Sequence, residues 1–234
     1  DESHPWHFYT TGKGERFEKL RQIIATQADP VAAKLVTDLT KERDALYAQK
    51  EKLQSEVWQL QAKLRDAENL ERAIELAITA HQGQTYGKWP YIYHLADVVG
   101  VLRRFGIDSE VLHAAGWLHD AVEDTDLTIK QVAQDCGSEV ADIVYRVTDE
   151  PGRTRKERKE ETYPKLAQSV DAITVKLADR IANVEAAKMG NPGLLEMYRQ
   201  EHGRFVAELF PVSDSEPTLG MWLHLQRLMA VEGL

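Results

Sequence analysis

Four acidic or imidazole side chains lie within the seven residues HDAVEDT, directly after the apolar run AAGWL. They are His119, Asp120, Glu123 and Asp124. The apolar run predicts a buried helix, so the four are expected to enter a core, where unpaired charge is costly. On one helix, His119 and Glu123 would lie one turn apart, and so would the two aspartates. A bound metal ion explains the cluster best, because its charge offsets the carboxylates and a neutral imidazole is a metal ligand.

A single His-Asp pair supplies too few ligands for a metal site, so other helices must contribute more. Two candidates stand in apolar helical patterns: His94 in PYIYHLADVV and Asp179 in VKLADRIANV. Such a residue alone is more often a core polar group that a hydrogen bond satisfies. Because they occur together with His119 and Asp120, both become candidate ligands.

The composition limits the classes of protein that the chain can represent. Its 234 residues, 43% of them hydrophobic, suffice for one good-sized domain with an appendage. The formal net charge of −9 argues against nucleic acid or an anionic membrane as the main partner, although local cations still allow an anionic small substrate. Cys136 is the only cysteine, so no intramolecular disulfide forms, and no apolar run reaches the length of a membrane helix. We therefore expect a cytoplasmic protein.

A long N-terminal helix is predicted, because no proline or glycine stands between Pro30 and Gly83. A seven-residue repeat runs along it, at Leu39, Leu46, Leu53, Leu60, Ala67 and Ile74. The companion positions of the repeat are Val36, Arg43, Lys50, Val57, Leu64 and Glu71, and half of them are charged. A two-stranded coiled coil prefers apolar companions, so self-association as a homo-oligomer and packing against its own domain both stay open. Asn69 can cap a new helix, which predicts a break near residues 68–70.

Shorter helices separated by glycine, proline and polar turns follow from about residue 70. No segment alternates strictly between apolar and polar residues, so no strand is predicted. The expected fold is all-α, with an N-terminal helical extension over residues 1–69 and a helical domain over residues 70–234.

The segment GRTRKERKEET, residues 152–162, departs from the acidic balance of the chain. Its five cations are Arg153, Arg155, Lys156, Arg158 and Lys159. Alone, the segment is typical of a solvated helix face that neighbouring glutamates balance. Beside a site that processes an anion it becomes a candidate phosphate gate, since Arg and Lys bind phosphate through charge-assisted hydrogen bonds.

Five short motifs occur along the chain in the order AHQGQ, PYIYH, HDAVEDT, VT and KLADRIANV. With them the chain resembles the HD superfamily of metal-dependent phosphohydrolases. Residues 70–210 resemble the alarmone hydrolases, which comprise the hydrolase half of RelA/SpoT-type proteins and the stand-alone small alarmone hydrolases. A bare HD pair arises by chance, whereas HD followed by ED, with the other motifs in order, is specific. The resemblance implies an HD-domain helical bundle.

The resemblance also implies roles for individual residues. The metal ligands would be His94, His119, Asp120 and Asp179, and the metal would be one manganese ion per site. Glu123 and Asp124 match the acidic pair of alarmone hydrolases and would act on the attacking water. Asn183 matches a residue near the nucleotide sugar and base, and Arg180 either contacts substrate or steadies the site through an ion pair.

One segment departs from the family pattern. Alarmone hydrolases often carry an Arg-Lys pair between the GQ and PY motifs, whereas this chain has TYGKW, one residue shorter. Lys88 is its only cation and Tyr86 its only residue suited to stacking on a base. Ala186 stands where a threonine is common, so the base preference stays open. With Tyr86 and Lys88, the basic residues Arg155 and Lys159 are candidate substrate contacts.

The activity that the resemblance implies is hydrolysis of the 3′-pyrophosphate of (p)ppGpp, the nucleotide of the stringent response, to pyrophosphate and GDP or GTP. No synthetase half follows the hydrolase motifs, so we expect degradation without synthesis. Two alternatives stay open. The enzyme could act on an adenine alarmone, NADPH or another phosphoester, or the chain could be a nucleotide sensor whose N-terminal helix docks a partner.

Overall fold

The computed structural model describes residues 16, 19, 22, 23 and 30–230, and these are overwhelmingly helical. The helices are α1 (Pro30–Ala80), α2 (Ile92–Arg104), α3 (Glu110–Leu118), α4 (Ala121–Asp124), α5 (Ile129–Cys136), α6 (Ser138–Val147), α7 (Arg155–Leu166), α8 (Val170–Gly190), α9 (Pro192–Leu209) and α10 (Thr218–Met229), with a 3₁₀ turn at Phe210–Val212. The predicted all-α class is confirmed. Most of residues 1–29, part of the predicted extension, lie outside the described residues. Among the described helices, none combines the length and the apolar character needed to cross a membrane.

The chain divides into two compact units, Asp1–Ala62 and Lys63–Leu234. The larger unit holds the hydrophobic core. In the smaller unit, the four leucines of the seven-residue repeat are each more than half exposed. The domain boundary predicted between residues 69 and 70 stays a prediction.

Helix α1 continues without interruption through Asn69, so the predicted break near residues 68–70 is wrong. The side chain of Asn69 accepts a hydrogen bond from Nη1 of Arg72 at 3.3 Å and does not cap a new helix. Just beyond it, Ala73 and Ala77 are fully buried in the core. Once a helix has formed, adding residues to it is cheap, and this packing favours its continuation.

Helix α8 lies at the centre of the larger unit, where it packs against α2, α3, α6, α9 and α10. Ser169 caps it by accepting a hydrogen bond from the backbone N–H of Ala172 at 3.2 Å. Every residue from Ala172 to Ala182 is buried, as expected for a helix with neighbours on all sides. The charged residues within this stretch are therefore enclosed and need partners.

A short hairpin lies between α1 and α2. Strand β1 (Thr85–Tyr86) pairs antiparallel with β2 (Trp89–Pro90). Gly87 and Lys88 form the turn, and Gly87 adopts a φ of +60°, which glycine tolerates best. The prediction of no strands is wrong here, because two-residue strands are too short to show an alternating pattern.

A turn divides the HDAVEDT segment into two parts. Helix α3 ends at Leu118, His119 and Asp120 form a turn, and α4 begins at Ala121. The prediction of one continuous helix is wrong, because Asp120 has a φ of −100° and a ψ of −8°, outside the usual helical values. The turn separates the His-Asp pair from the acidic pair that follows.

Candidate active site

Three separate elements bring the predicted metal ligands together. Helix α2 carries His94, the turn before α4 carries His119 and Asp120, and α8 carries Asp179. Nε2 of His94 lies 3.6 Å from Oδ2 of Asp120 and 3.5 Å from Oδ1 of Asp179. Nε2 of His119 lies 3.0 Å and 3.6 Å from the same two oxygens. Two imidazole nitrogens and two carboxylate oxygens therefore converge on one point.

The contacts of His119 indicate that this cluster fits a metal ion. Its Nδ1 donates a hydrogen bond to the carbonyl oxygen of Gly116 at 2.9 Å, which directs Nε2 toward the cluster. Nε2 is buried and has no hydrogen-bond partner among the described residues, although Asp120 lies close to it. Ligand atoms of His94, His119 and Asp120 all lie within 4.8 Å of one another. A donor set of imidazoles and carboxylates suits a divalent transition-metal ion.

The charges of the cluster favour a cation at its centre. Burial lowers the pKa of His119, but Asp120 and Asp179 outweigh burial and raise this pKa to about 10. Burial also opposes ionisation of the two aspartates, yet His119 holds the pKa of Asp120 well below its usual range. Lys176 does the same to the pKa of Asp179. The carboxylates stay ionised and attract positive charge, which a proton on His119 or a metal ion can supply.

Both ligand carboxylates are held by further side chains. Tyr91 donates a hydrogen bond from its hydroxyl to Oδ2 of Asp120 at 2.6 Å. Asn183 donates to Oδ1 of Asp179, and Nζ of Lys176 lies 3.3 Å from Oδ2 of the same residue. Partners of this kind fix the orientation of metal ligands and tune their charge. Asn183 therefore has a structural role at the site in addition to any contact with substrate.

Tyr86 lies against the metal-ligand cluster. Its ring stacks on the ring of His94, with 4.6 Å between the centroids and 12° between the planes. Its hydroxyl donates a hydrogen bond to Oδ1 of Asn183 at 2.7 Å. Because the predicted stacking residue already stacks on a ligand imidazole, it orients His94.

The acidic pair of α4 faces the same cavity but is exposed, so the expectation that all four residues of HDAVEDT enter a core is wrong for this pair. Oδ2 of Asp124 accepts a hydrogen bond from the hydroxyl of Tyr91 at 3.3 Å. Oε2 of Glu123 accepts one from the backbone N–H of Asp149 at 3.1 Å. Partial burial and the nearby Asp120 raise the pKa of Asp124, which makes its carboxylate a better proton acceptor.

Cations line the other side of the cavity, whose volume is about 190 Å³. They are Arg155, Lys159, Lys176 and Arg180. Arg155 begins α7, so much of the basic segment is helical, and Thr154 and Glu157 form a capping box at its start.

Each of three cavity cations is paired with a carboxylate. Nζ of Lys159 lies 2.6 Å from Oδ1 of Asp149. Glu201 binds Arg155 through Oε1 at 2.5 Å and Arg180 through Oε2 at 3.2 Å. The site therefore holds its cations in fixed positions before any anion binds.

The family assignment follows from this site and its surrounding sequence. A model of the HD-domain family matches residues 73–202, more than half of the chain, and this range contains every candidate ligand. The chain belongs to the HD-domain family. The matched range contains the His, His-Asp and Asp residues that three elements bring together.

Several proteins similar to this HD domain are named guanosine-3′,5′-bis(diphosphate) 3′-pyrophosphohydrolases. Guanosine-3′,5′-bis(diphosphate) 3′-pyrophosphohydrolase MESH1 of Xenopus tropicalis is 35% identical over 153 residues, which cover 62% of this chain and 84% of that protein. The guanosine-3′,5′-bis(diphosphate) 3′-pyrophosphohydrolase of Aquifex aeolicus (strain VF5) is 34% identical over 61% of this chain. The chain spans only 14% to 20% of the length of that protein and of two further bacterial relatives.

One solved structure resembles this chain in its fold. It is a metazoan orthologue of SpoT that hydrolyses ppGpp. It matches with a TM-score of 0.60 and 25% sequence identity, over 68% of this chain and 93% of that chain.

One predicted substrate contact, Lys88, lies outside the cavity. Lys88 stands in the hairpin turn, where it is exposed and its Nζ lies 5.3 Å from the centroid of the Trp89 ring. It is not among the residues that line the cavity.

Five residues of the site were missed in the sequence. They are Tyr91, Asp149, Lys176, Tyr198 and Glu201. Lys176 precedes Asp179 by three residues, a helical spacing that would have signalled an ion pair. Glu201 lies 46 residues beyond Arg155, and nothing local in the sequence links them.

Proposed function

We propose that this HD-domain protein is a metal-dependent hydrolase that removes the 3′-pyrophosphate of (p)ppGpp and releases pyrophosphate and GDP or GTP. The observation that carries the proposal is a cluster of two imidazoles and two carboxylates inside a cavity that four cations line. The cluster suits a divalent cation, and the surrounding cations suit a polyphosphate. The activity named for MESH1, most of whose length this chain covers, supports the choice of substrate.

The resident ion, which we propose to be Mn²⁺, would be held by His94, His119, Asp120 and Asp179. When bound, such an ion polarises a phosphoryl oxygen and acidifies water. The protein contributes the fixed geometry of these ligands. Lys176 binds Oδ2 of Asp179 and leaves Oδ1 directed at the cluster. Tyr91 binds Oδ2 of Asp120, the oxygen that itself faces the imidazoles.

The acidic pair would handle the proton of the attacking water. Water forms a bond to the phosphorus attached to the ribose 3′-oxygen, and the bond between that oxygen and phosphorus breaks. Glu123 or Asp124 accepts the proton that the water loses, and the departing 3′-oxygen takes up a proton to become a hydroxyl. The raised pKa of Asp124 matches it to this role.

The cations of the cavity would bind the pyrophosphate. Arg155, Lys159 and Arg180 are already held by carboxylates, so phosphate oxygens would join or replace those partners. Helix α8 presents Lys176, Asp179 and Asn183 on one face, since these residues are separated by three or four positions. The nucleoside would therefore lie toward Asn183, with its phosphates toward Lys176.

A nucleotide panel tests the proposal. The full chain is incubated with ppGpp, pppGpp, their adenine analogues, NADPH and a simple phosphoester, with and without Mn²⁺. We expect pyrophosphate release from the guanosine substrates in the presence of the metal. Phosphate release from NADPH without pyrophosphate release from any alarmone would favour the second enzyme class, and binding without turnover of any substrate would favour a sensor.

We further propose that two copies of the chain associate through α1. Leu39, Leu46, Leu53 and Leu60 recur every seven residues over four heptads and are more than half exposed. A seven-residue repeat of this length is typical of helices that pair with another helix. The charged companion positions Arg43 and Lys50 would fix the register at some cost in stability. A cytoplasmic location, inferred from the single cysteine, belongs to the same proposal.

A further inference from the structure

A second hollow, of about 370 Å³, lies between α2 and α8. The residues that line it include Asp97, Gly100, Ala182, Glu185, Ala186 and Met189. Most of this surface is small or apolar, which suits a flat, uncharged group. We refer to it as the α2–α8 groove.

The α2–α8 groove is formed by the two helices that carry His94 and Asp179, about one turn farther along each helix. Asp97 follows the ligand His94 by three residues on α2, and Ala182 follows the ligand Asp179 by three residues on α8. Residues with this spacing share a helix face, so each helix passes from cavity to groove in the same direction. Asp97 also contributes to the raised pKa of Tyr86, about 12, of which burial is the main cause. The charge of Asp97 therefore acts on Tyr86, which lines the cavity.

The two carboxylates of the groove differ in their partners. Oε1 of Glu185 lies 2.8 Å from Nη2 of Arg104 and 2.7 Å from Nε2 of His224. Asp97 is exposed and forms no hydrogen bond or ion pair with the described residues. Glu185 is therefore neutralised within the protein, and Asp97 is free to accept hydrogen bonds from a ligand.

We propose that Asp97 selects the base of the substrate, and that it favours guanine over adenine. A carboxylate only accepts hydrogen bonds, through two adjacent oxygens. Guanine offers two adjacent donors, N1–H and the 2-amino group, whereas N1 of adenine is an acceptor whose lone pair would face the carboxylate oxygens. The inference rests on the proposed nucleotide substrate, and it gives this chain a base contact where TYGKW lacks the usual Arg-Lys pair.

Titration calorimetry with three nucleoside diphosphates, in the presence of Mn²⁺, tests the proposal. The wild-type chain should bind GDP most tightly and ADP most weakly, with IDP between them because inosine keeps N1–H but lacks the 2-amino group. Asp97→Asn should weaken GDP by about 10-fold or more, since hydrogen bonds to a charged group are lost, and should change ADP by less than about threefold. Asp97 is exposed, so circular dichroism should show an unchanged fold.

Glu185→Gln is the matched control, because it removes the other carboxylate of the same groove. It should leave the ratio of GDP to ADP affinity at the wild-type value. A wild-type ratio near one, or a ratio that Asp97→Asn does not change, would overturn the inference. If the wild type prefers GDP but hydrolyses no alarmone, the proposed function fails and the role of Asp97 stands. If guanine and adenine alarmones are hydrolysed and GDP and ADP bind equally, the reverse holds.

Discussion

The metal-ligand cluster (His94, His119, Asp120 and Asp179) and the cation cluster (Arg155, Lys159, Lys176 and Arg180) lie at one cavity. Their charges are compensated in opposite ways. In the metal-ligand cluster, two carboxylates face two imidazoles, and Nε2 of His119 has no hydrogen-bond partner among the described residues. In the cation cluster, Lys159 pairs with Asp149, and Arg155 pairs with Glu201. The carboxylates of the first cluster suit a bound cation, whereas the cations of the second are neutralised by carboxylates of the protein itself.

Because of this difference, we expect the two clusters to respond differently to mutation. A cluster that is completed by a bound ion loses its function when one ligand is removed. Removing one cation of the second cluster leaves the candidate metal ligands in place, so we expect binding to weaken while the chemistry persists.

Asp120→Ala should abolish both metal binding and activity. The substitution removes a carboxylate that lies near both imidazoles, and we expect turnover to fall at least about 1,000-fold. Elemental analysis of the purified protein would measure the metal and a pyrophosphate assay the activity. Asp142→Ala, which alters an exposed ion pair with Arg146, serves as the control. A metal-loaded, active Asp120→Ala protein would show that the cluster is not a metal site.

Glu123→Ala should retain the metal and lose turnover. Glu123 lines the cavity but is not among the converging ligand atoms, so metal content should match the wild type. Loss of a general base lowers kcat by about 100-fold to 10,000-fold. Elemental analysis and steady-state kinetics on the same preparation would measure both. Turnover at the wild-type rate would remove Glu123 from the mechanism, and the base would then be Asp124.

Lys159→Ala should raise KM about 10-fold or more and lower kcat less, because its ammonium would contact the pyrophosphate. Lys156→Ala is the matched control on the same helix. The side chain of Lys156 is 81% exposed and that of Lys159 is 7% exposed. Equal effects of the two variants on KM would mean that the cation cluster acts only through its general field.

The pH dependence of kcat/KM should show the ionisation of Lys159. Burial lowers the pKa of Lys159 to about 8, with a further lowering from Lys176 that Asp149 opposes. The free enzyme then loses this charge as the pH rises through 8, so kcat/KM should decline there by several-fold. The decline should be absent in Lys159→Ala. If that variant shows the same decline, another group is titrating.

Leu53→Glu should separate the two copies and have the smallest effect on catalysis. It places a charge in the middle of the exposed leucine repeat of α1. Light scattering should show the mass fall from that of a dimer to that of a monomer, with kcat changed less than about twofold. Ser55→Glu, two residues along the same helix, should leave the dimer intact. A wild-type chain that is monomeric at all concentrations would end the self-association proposal.

The metal-ligand cluster could be predicted from the sequence, and the cation cluster only in part. His94, His119, Asp120 and Asp179 each stand in a short motif whose residue types reveal the chemistry, and helical patterns indicated which elements carry them. The partners Asp149 and Glu201 could not be found in this way. The pairing of Glu201 depends on how α7 and α9 pack, and that of Asp149 on how the loop before α7 folds back on the helix, and neither has a helical spacing that records it.

Errors in the predicted elements have similarly local causes. A continuous apolar pattern concealed the end of α3, because His119 keeps helical φ and ψ and only Asp120 departs from them. Asn69 was given a capping role that depends on a preceding turn, and none exists in α1. The hairpin strands were too short for any periodic pattern.

Helix α8 has a consequence for the size of the molecules that the site accepts. From Lys176 to Ala186 it rises about 15 Å, at 1.5 Å per residue, so the distance between the phosphate end and the groove end is fixed by a rigid element. A nucleotide whose phosphates and base are separated by a different distance cannot occupy both ends together. One inserted residue would also rotate everything after it by about 100°, away from the cavity. In the proposed binding mode, α8 therefore sets the separation between phosphates and base that the site accepts.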